Sequence, residues 1–328
     1  MPSLIFCGDA RDLLPTLPSK SVQCCITSPP YWGLRDYGVN AQIGLEGSPS
    51  AYIAALMPIF DQVWRVLRDD GTLWLNLGDT YIGYHGNATT GDSSPSPSDK
   101  PGYRENMRAT SVGADGLGNK NLVGIPWRVA FALQARGWIL RSDIIWHKPN
   151  SKPESVKDRP TKTHEYIFLL SKSATYFYDH KAIREKIHCN DPRRPRNDTP
   201  RAMRGAPDRP PNASCKAAPA KHGTMGTPAN GLRNKRSVWS IPSRHHAGTH
   251  FATFPPDLIR PCVLAGAPVG GFVLDPFFGS GTVGQVCVEE GRNYIGIELN
   301  PEYAAMAERR ISEARPHGPR QASLLEVS

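Results

Sequence analysis

The chain has 328 residues, 39% of them hydrophobic, enough to bury a large core and too many for a chain disordered throughout. A formal charge of +9 and a pI near 9.2 favour a polyanionic partner such as nucleic acid. The seven cysteines are scattered without a Cys-x-x-Cys pair, which argues against a disulfide framework and a zinc knuckle; no apolar run reaches the roughly eighteen residues of a membrane span, so neither span nor signal peptide is expected and a cytoplasmic location is.

Short apolar runs alternate with helical patterns, as in a parallel α/β sheet. Leu4 to Cys7, Val22 to Ile26 and Thr72 to Leu77 read as strands. From Ser50 to Leu67, Ile53, Leu56, Phe60, Val63 and Leu67 recur at helical spacing behind a Ser48 or Ser50 cap, with Pro58 placed to kink or split the helix. A second helix runs from about Pro126 to Gly137, followed by strands over Ile139 to His147 and Glu165 to Leu170. Gly271 to Asp275 and Asn293 to Glu298 are strands that each feed a helix. The last helix starts at Asn300 as cap and Pro301, and puts Tyr303, Met306, Ala307 and Ile311 on one face. Cys7, Cys24, Cys25 and Cys287 lie in apolar runs and read as small buried hydrophobes.

Two regions break this regularity. Residues 80–121 are rich in Gly, Ser, Asn and Pro, and residues 176–236 crowd Arg, Lys and Pro around few apolar positions. Between 181 and 236 stand fourteen Lys or Arg against four acidic residues, so the excess positive charge of the chain is concentrated there. A basic insertion interrupting an α/β core is read as a nucleic-acid arm.

Two turns carry chemistry. Asp275-Pro276-Phe277-Phe278-Gly279-Ser280-Gly281-Thr282 follows a strand and opens a helix, where glycines let a ligand approach the backbone and free N–H groups favour an anionic group. The next strand ends in Glu298, placed as the acid that binds ribose hydroxyls, so the pair points to an adenosine-containing cofactor. Thr27-Ser28-Pro29-Pro30-Tyr31-Trp32-Gly33 also sits at the carboxyl end of a strand. Its prolines stiffen the turn and leave carbonyls to accept hydrogen bonds, Ser28 adds an acceptor, and Tyr31 offers a flat face for a base. Asp9 stands where it can cap a helix beginning at Ala10.

Ser-Pro-Pro-Tyr after one strand and Asp-Pro-Phe-x-Gly-x-Gly-Thr after another resemble motifs IV and I of DNA amino-methyltransferases, and their order, catalytic first and cofactor-binding last, is similar to the β class. Gly8-Asp9-Ala10 resembles motif III, Thr72 to Asp79 motif VI, Trp138 to Pro149 motif VII, His164 to Ser171 motif VIII, and His250 to Pro255 motif X. The resemblance implies a circularly permuted α/β methyltransferase fold with a doubly wound, mostly parallel sheet and one antiparallel strand. It divides the chain into a catalytic half over 1–79, a flexible loop over 80–121, continued core over 122–175, a basic target-recognition insertion over 176–236, a cofactor-binding half over 237–315 and a tail over 316–328.

It further implies that S-adenosylmethionine is the methyl donor and that the acceptor is the exocyclic amino group of a base flipped from double-stranded DNA, cytosine N4 or adenine N6 in near balance. Ser28, Pro29, Pro30 and Tyr31 would be catalytic. Asp9, His250, Phe251, Phe254, Asp275, Phe277, Gly279, Ser280, Gly281, Thr282 and Glu298 would hold the cofactor. Trp32, Arg35, Asp36 and Tyr37 would form the loop over the flipped base, and no metal is expected. A homodimer is expected on the same ground, and the resemblance extends to solitary and phage methylases as well as to those of restriction–modification systems, which leaves a cognate endonuclease open. The competing readings are a protein-glutamine methyltransferase, which uses a similar Asn-Pro-Pro-Tyr turn in the unpermuted order, and a non-catalytic DNA-binding module.

Overall fold

The computed structural model describes residues 3–34, 37–39, 41–83, 114–186, 232–243 and 254–316. The chain forms two compact units, Met1–Ala182 with Arg236–Ser328, and Ile183–Lys235. The second falls within the basic insertion; its described part is a short antiparallel pair, β6 (Glu185–Lys186) with β7 (Leu232–Arg233), held by Arg233 Nε donating to Glu185 Oε1 at 2.8 Å.

Among the described residues, the first unit is built on an eight-stranded sheet. Its spatial order is β1 (Leu4–Cys7), β10 (Asn293–Glu298), β9 (Phe272–Asp275), β2 (Val22–Thr27), β3 (Leu67–Leu77), β5 (His164–Ser171), β4 (Ile139–His147) and β8 (Val238–Ser240). Every neighbouring pair is parallel except that β5 runs against both β3 and β4, which is the single reversed strand expected. The two ends of the chain are interleaved: β1 pairs with β10, and β2 lies beside β9 with Cys25 opposite Leu274.

Helices cover both faces, so the central strands are buried throughout; all six residues of β2 are buried. Leu73, Leu75 and Leu77 of β3 join one apolar cluster with α1 (Ala10–Leu13), α2 (Pro49–Val66) and α3 (Ile125–Ala135). On the other face Trp74 meets α4 (Pro256–Gly266), where a Cβ on Gly266 would stand 2.8 Å from Trp74 Nε1 and 2.6 Å from Cys24 Sγ. Next to it lie α5 (Thr282–Glu289) and α6 (Pro301–Glu313). Cys24, Cys25 and Cys287 are buried as expected, whereas Cys7, at the end of edge strand β1, is exposed.

Pro58 does not split α2, which runs unbroken from Pro49 behind the Ser48 cap. Pro58 and Ala54, whose carbonyl loses its partner, both lie on the exposed side, so water can take that carbonyl while Tyr52, Leu56, Phe60 and Val63 hold the helix to the core. β3 begins at Leu67, five residues before the run that marked it. Helix α4 escaped the reading because Pro255, Pro256 and Pro261 look like breakers, although the first two sit at its start. No helix among the described residues is long and apolar enough to cross a membrane.

Candidate active site

A cleft of about 940 Å³ opens at the carboxyl ends of β1, β2, β9 and β10 and extends past β3 to the neighbouring ends of β4 and β5. Of the residues named from sequence, Asp9, Ser28, Pro29, Pro30, Tyr31, Phe254, Phe277, Gly279, Ser280, Thr282 and Glu298 line it. Asp275 and Gly281 stand behind its wall, and His250 and Phe251 lie outside the described residues.

The proline turn is fixed from below and from the side. Thr27, the last residue of β2, is fully buried, and its hydroxyl donates to Asp275 Oδ1 at 2.6 Å. The Tyr52 hydroxyl, from α2, donates to the Pro30 carbonyl at 2.9 Å, which leaves the Pro29 carbonyl as the proline acceptor available to a ligand. Trp32, expected in a loop over the base, is instead buried, with its Nε1 donating to the Glu46 carbonyl at 2.7 Å. Of its loop companions, Tyr37 does line the cleft, edge-on to Tyr303 at 6.4 Å, while Arg35 and Asp36 lie outside the described residues.

Tyr31 sits at the centre of a polar chain. Its hydroxyl donates to Glu165 Oε2 at 2.8 Å, lies 3.1 Å from Asn76 Oδ1, and accepts from Ser28 Oγ at 3.5 Å. Glu165 is paired through its other oxygen with Lys148, whose Nζ lies 4.1 Å from the centre of the Trp146 ring. Burial first, and the Glu165 charge second, push the Tyr31 phenol well above its ordinary range, so it stays protonated. The ring leaves no room at Gly78, where an added Cβ would stand 2.5 Å from Tyr31 Cε2.

Asn76, Lys148, Glu165 and Trp146 line the cleft and carry no role in the sequence reading. They fall inside the segments resembling motifs VI, VII and VIII, but their convergence depends on β5 running antiparallel between β3 and β4, with Trp146 opposite Glu165. That register has no local signal. Charged residues at the ends of strand candidates were the one clue present.

The glycine turn is equally cross-braced. Asp275 is 1% exposed; Oδ1 accepts from the Thr27 hydroxyl and from Phe277 N at 3.0 Å, and burial raises its pKa to about 7 against those hydrogen bonds. Glu298 accepts from Gly279 N through Oε2 at 2.6 Å and from Asn300 N through Oε1 at 2.9 Å, and its pKa is raised by burial. Its carboxylate therefore locks the glycine turn to the start of α6. Gly279 has φ +53°, and a Cβ there would meet nothing within 4 Å, so open space faces its backbone. Gly281, with φ +78°, serves close packing instead: a Cβ there would stand 2.7 Å from Ala307 Cβ of α6.

Arg310 Nη1 donates to Ser280 Oγ and Thr282 Oγ1, both at 2.9 Å. Tyr303 and Met306 of the same helix line the cleft, whereas Ala307 and Ile311 are buried in the core. Asp9 caps α1 by accepting from Arg11 N at 2.8 Å, and it also faces the cleft. The Arg11 guanidinium also clasps it and holds its carboxyl below the usual range.

A family model, N6_N4_Mtase, described as DNA methylase, matches residues 22–309. Type II methyltransferase M.Cfr9I of Citrobacter freundii is 47% identical over 307 residues, covering 94% of this chain and 87% of its own. Among solved structures, PvuII DNA methyltransferase (cytosine-N4-specific) superimposes with a TM-score of 0.60 at 18% identity over 94% of this chain and 86% of that one. A DNA modification methylase of Thermus thermophilus, described as putative and complexed with S-adenosyl-L-methionine, gives 0.58 at 22% identity over 96% of each chain.

Proposed function

The chain belongs to the DNA methylase family, and from that premise we propose that it transfers a methyl group from S-adenosylmethionine to the exocyclic amino group of a base flipped out of duplex DNA, at cytosine N4 or adenine N6. The observation that carries this reading is the Thr27–Asp275 hydrogen bond, which puts the proline turn and the glycine turn on one cleft although 248 positions separate them.

The donor set fits the cofactor. Asp9 and Glu298 offer carboxylates to amino and hydroxyl groups of a nucleoside, Phe254 and Phe277 offer apolar surface, and the open space before Gly279 admits a ligand to the backbone. When bound, S-adenosylmethionine supplies an electrophilic methyl group.

The residues of the chain do the rest. An exocyclic amino nitrogen is a weak nucleophile because its lone pair is shared with the ring. Ser28 Oγ and the Pro29 carbonyl accept its two N–H bonds and draw it towards sp³ geometry. The Tyr31 ring, pinned through its hydroxyl, is a fixed wall against which the extruded base stacks, contributing about 1–3 kcal/mol towards a flipping cost of a few kcal/mol. Catalysis is then positioning and charge arrangement, with no covalent enzyme intermediate.

The Type II methyltransferase relative supports a role in a restriction–modification system. The basic 181–236 segment is the DNA-reading arm, and a homodimer is the assembly we expect in solution. The test is direct: with both substrates, a Ser28→Ala/Tyr31→Ala variant keeps its affinity for S-adenosylmethionine and loses methyl transfer. Full activity in that variant would overturn the catalytic assignment, and no cofactor binding by the native chain would overturn the whole reading.

A further inference from the structure

Resting on the proposed transfer to a base amino group, we infer that Ser28, Tyr31 and Glu165 form a proton-exit relay, with Glu165 the terminal acceptor and Lys148 the residue that positions it. The need is chemical. A nitrogen that gains a methyl group is left with one proton too many, and Ser28, the polar side chain proposed to touch it, is not basic.

The hydrogen bonds run in one direction. Ser28 Oγ donates to Tyr31 Oη at 3.5 Å, and Tyr31 Oη donates to Glu165 Oε2 at 2.8 Å. The phenol has a single proton, and the carboxylate at 2.8 Å is nearer than Asn76 Oδ1 at 3.1 Å, so it points to Glu165. Asn76 Nδ2 donates to the Tyr166 carbonyl at 3.0 Å and lies 3.4 Å from Glu165 Oε2, turning its amide oxygen towards Tyr31. Lys148 holds the other Glu165 oxygen. The 3.5 Å link is the longest, and catalytic hydrogen bonds of this kind shorten when substrate fills the site.

The step balances. As the amino nitrogen uses its lone pair to form the N–C bond, one N–H bond breaks and its proton passes to Ser28 Oγ. The Ser28 proton passes to Tyr31 Oη, and the Tyr31 proton to Glu165 Oε2. Both hydroxyls end as they began, Glu165 ends neutral, and water in the cleft takes the proton after product leaves. Burial keeps the phenol from ionising by itself, so it conducts a proton without storing a charge. The same negative carboxylate also offsets the positive charge that arrives on the nitrogen.

The experiment uses the full chain and a duplex carrying 2-aminopurine at the target base, with Glu165→Gln, Tyr31→Phe and the double variant. Affinity for S-adenosylhomocysteine stays within about threefold of native in all three, and base extrusion, read by fluorescence, does so in Glu165→Gln, while single-turnover methylation of the natural duplex falls roughly tenfold to hundredfold in each single variant. The double variant is no slower than the slower single, because both changes cut one path. The native rate drops in D₂O by about twofold or more, and the variants lose that dependence. A Glu165→Gln rate within twofold of native, losses that multiply in the double variant, or an unchanged solvent isotope effect overturns the relay. Absence of any methyl transfer by the native chain would instead defeat the proposed function on which it rests.

Discussion

The Thr27 hydroxyl and Asp275 Oδ1 meet at 2.6 Å inside the core, joining the residue before the proline turn to the residue that opens the glycine turn. Because both are buried, Thr27→Val removes a donor from a carboxyl that cannot turn to water; the loss should be about 1–3 kcal/mol of folding stability. Urea unfolding measures it, and cofactor affinity should weaken in the same variant as the two turns lose their common anchor. A stability equal to native would show that the bond does not brace the site.

Asp275 also makes a pH signature. Burial raises its pKa to about 7, while an unfolded chain ionises it near the ordinary carboxylate value of 3.8. The native state therefore keeps a proton that the unfolded state has released between those values. This contribution to stability is full below about pH 4, declines as pH rises and is gone above about pH 7, a swing on the order of 4 kcal/mol. Asp275→Asn abolishes it, so the difference in unfolding free energy between variant and native should change across that window in favour of the variant. Parallel stability profiles from pH 4 to 8 would contradict the burial argument.

Gly78 is a test of the Tyr31 ring position. A methyl group there would stand 2.5 Å from Tyr31 Cε2, so Gly78→Ala must displace the ring or the strand end that carries residue 78. Overpacking of this kind costs about 1–3 kcal/mol, and methyl transfer should fall roughly tenfold or more because the base loses its fixed wall. Native activity in Gly78→Ala would mean that the ring position is unimportant.

Glu298 braces the glycine turn with a carboxylate that also lines the cleft. Glu298→Ala frees Gly279 N and Asn300 N together, and should weaken S-adenosylmethionine binding by about tenfold or more, or at least about 1.4 kcal/mol. Isothermal titration calorimetry reads this, and an unchanged Kd would remove Glu298 from the cofactor site.

Much of this arrangement was legible in the sequence, for physical reasons. Seven strands of the main sheet, the α6 cap at Asn300 and the two turns announced themselves through local chemistry: apolar runs, proline at a first helical position, glycine where φ is positive; the three-residue β8 did not. What was not legible depends on distant contacts. Trp32 stands in the loop as expected but is buried there, because Glu46 supplies the carbonyl its indole needs. Asp275 and Gly281 stand in the glycine-turn motif, yet what each does there depends on a distant partner: Asp275 turns inward to Thr27 and Gly281 admits α6. Glu165 and Lys148 reach Tyr31 only through an antiparallel register that no local pattern encodes. Pro58 misled because its effect depends on which side of the helix faces water.

Amino-group methylation of DNA leaves a modified nucleoside that can be identified. Native chain and Ser28→Ala/Tyr31→Ala are incubated with duplex DNA and methyl-labelled S-adenosylmethionine, and the DNA is digested to nucleosides for mass analysis. We predict label in N4-methylcytosine or N6-methyladenine with the native chain and none with the variant. Label in 5-methylcytosine, label in protein alone, or equal yields from the two chains would contradict it.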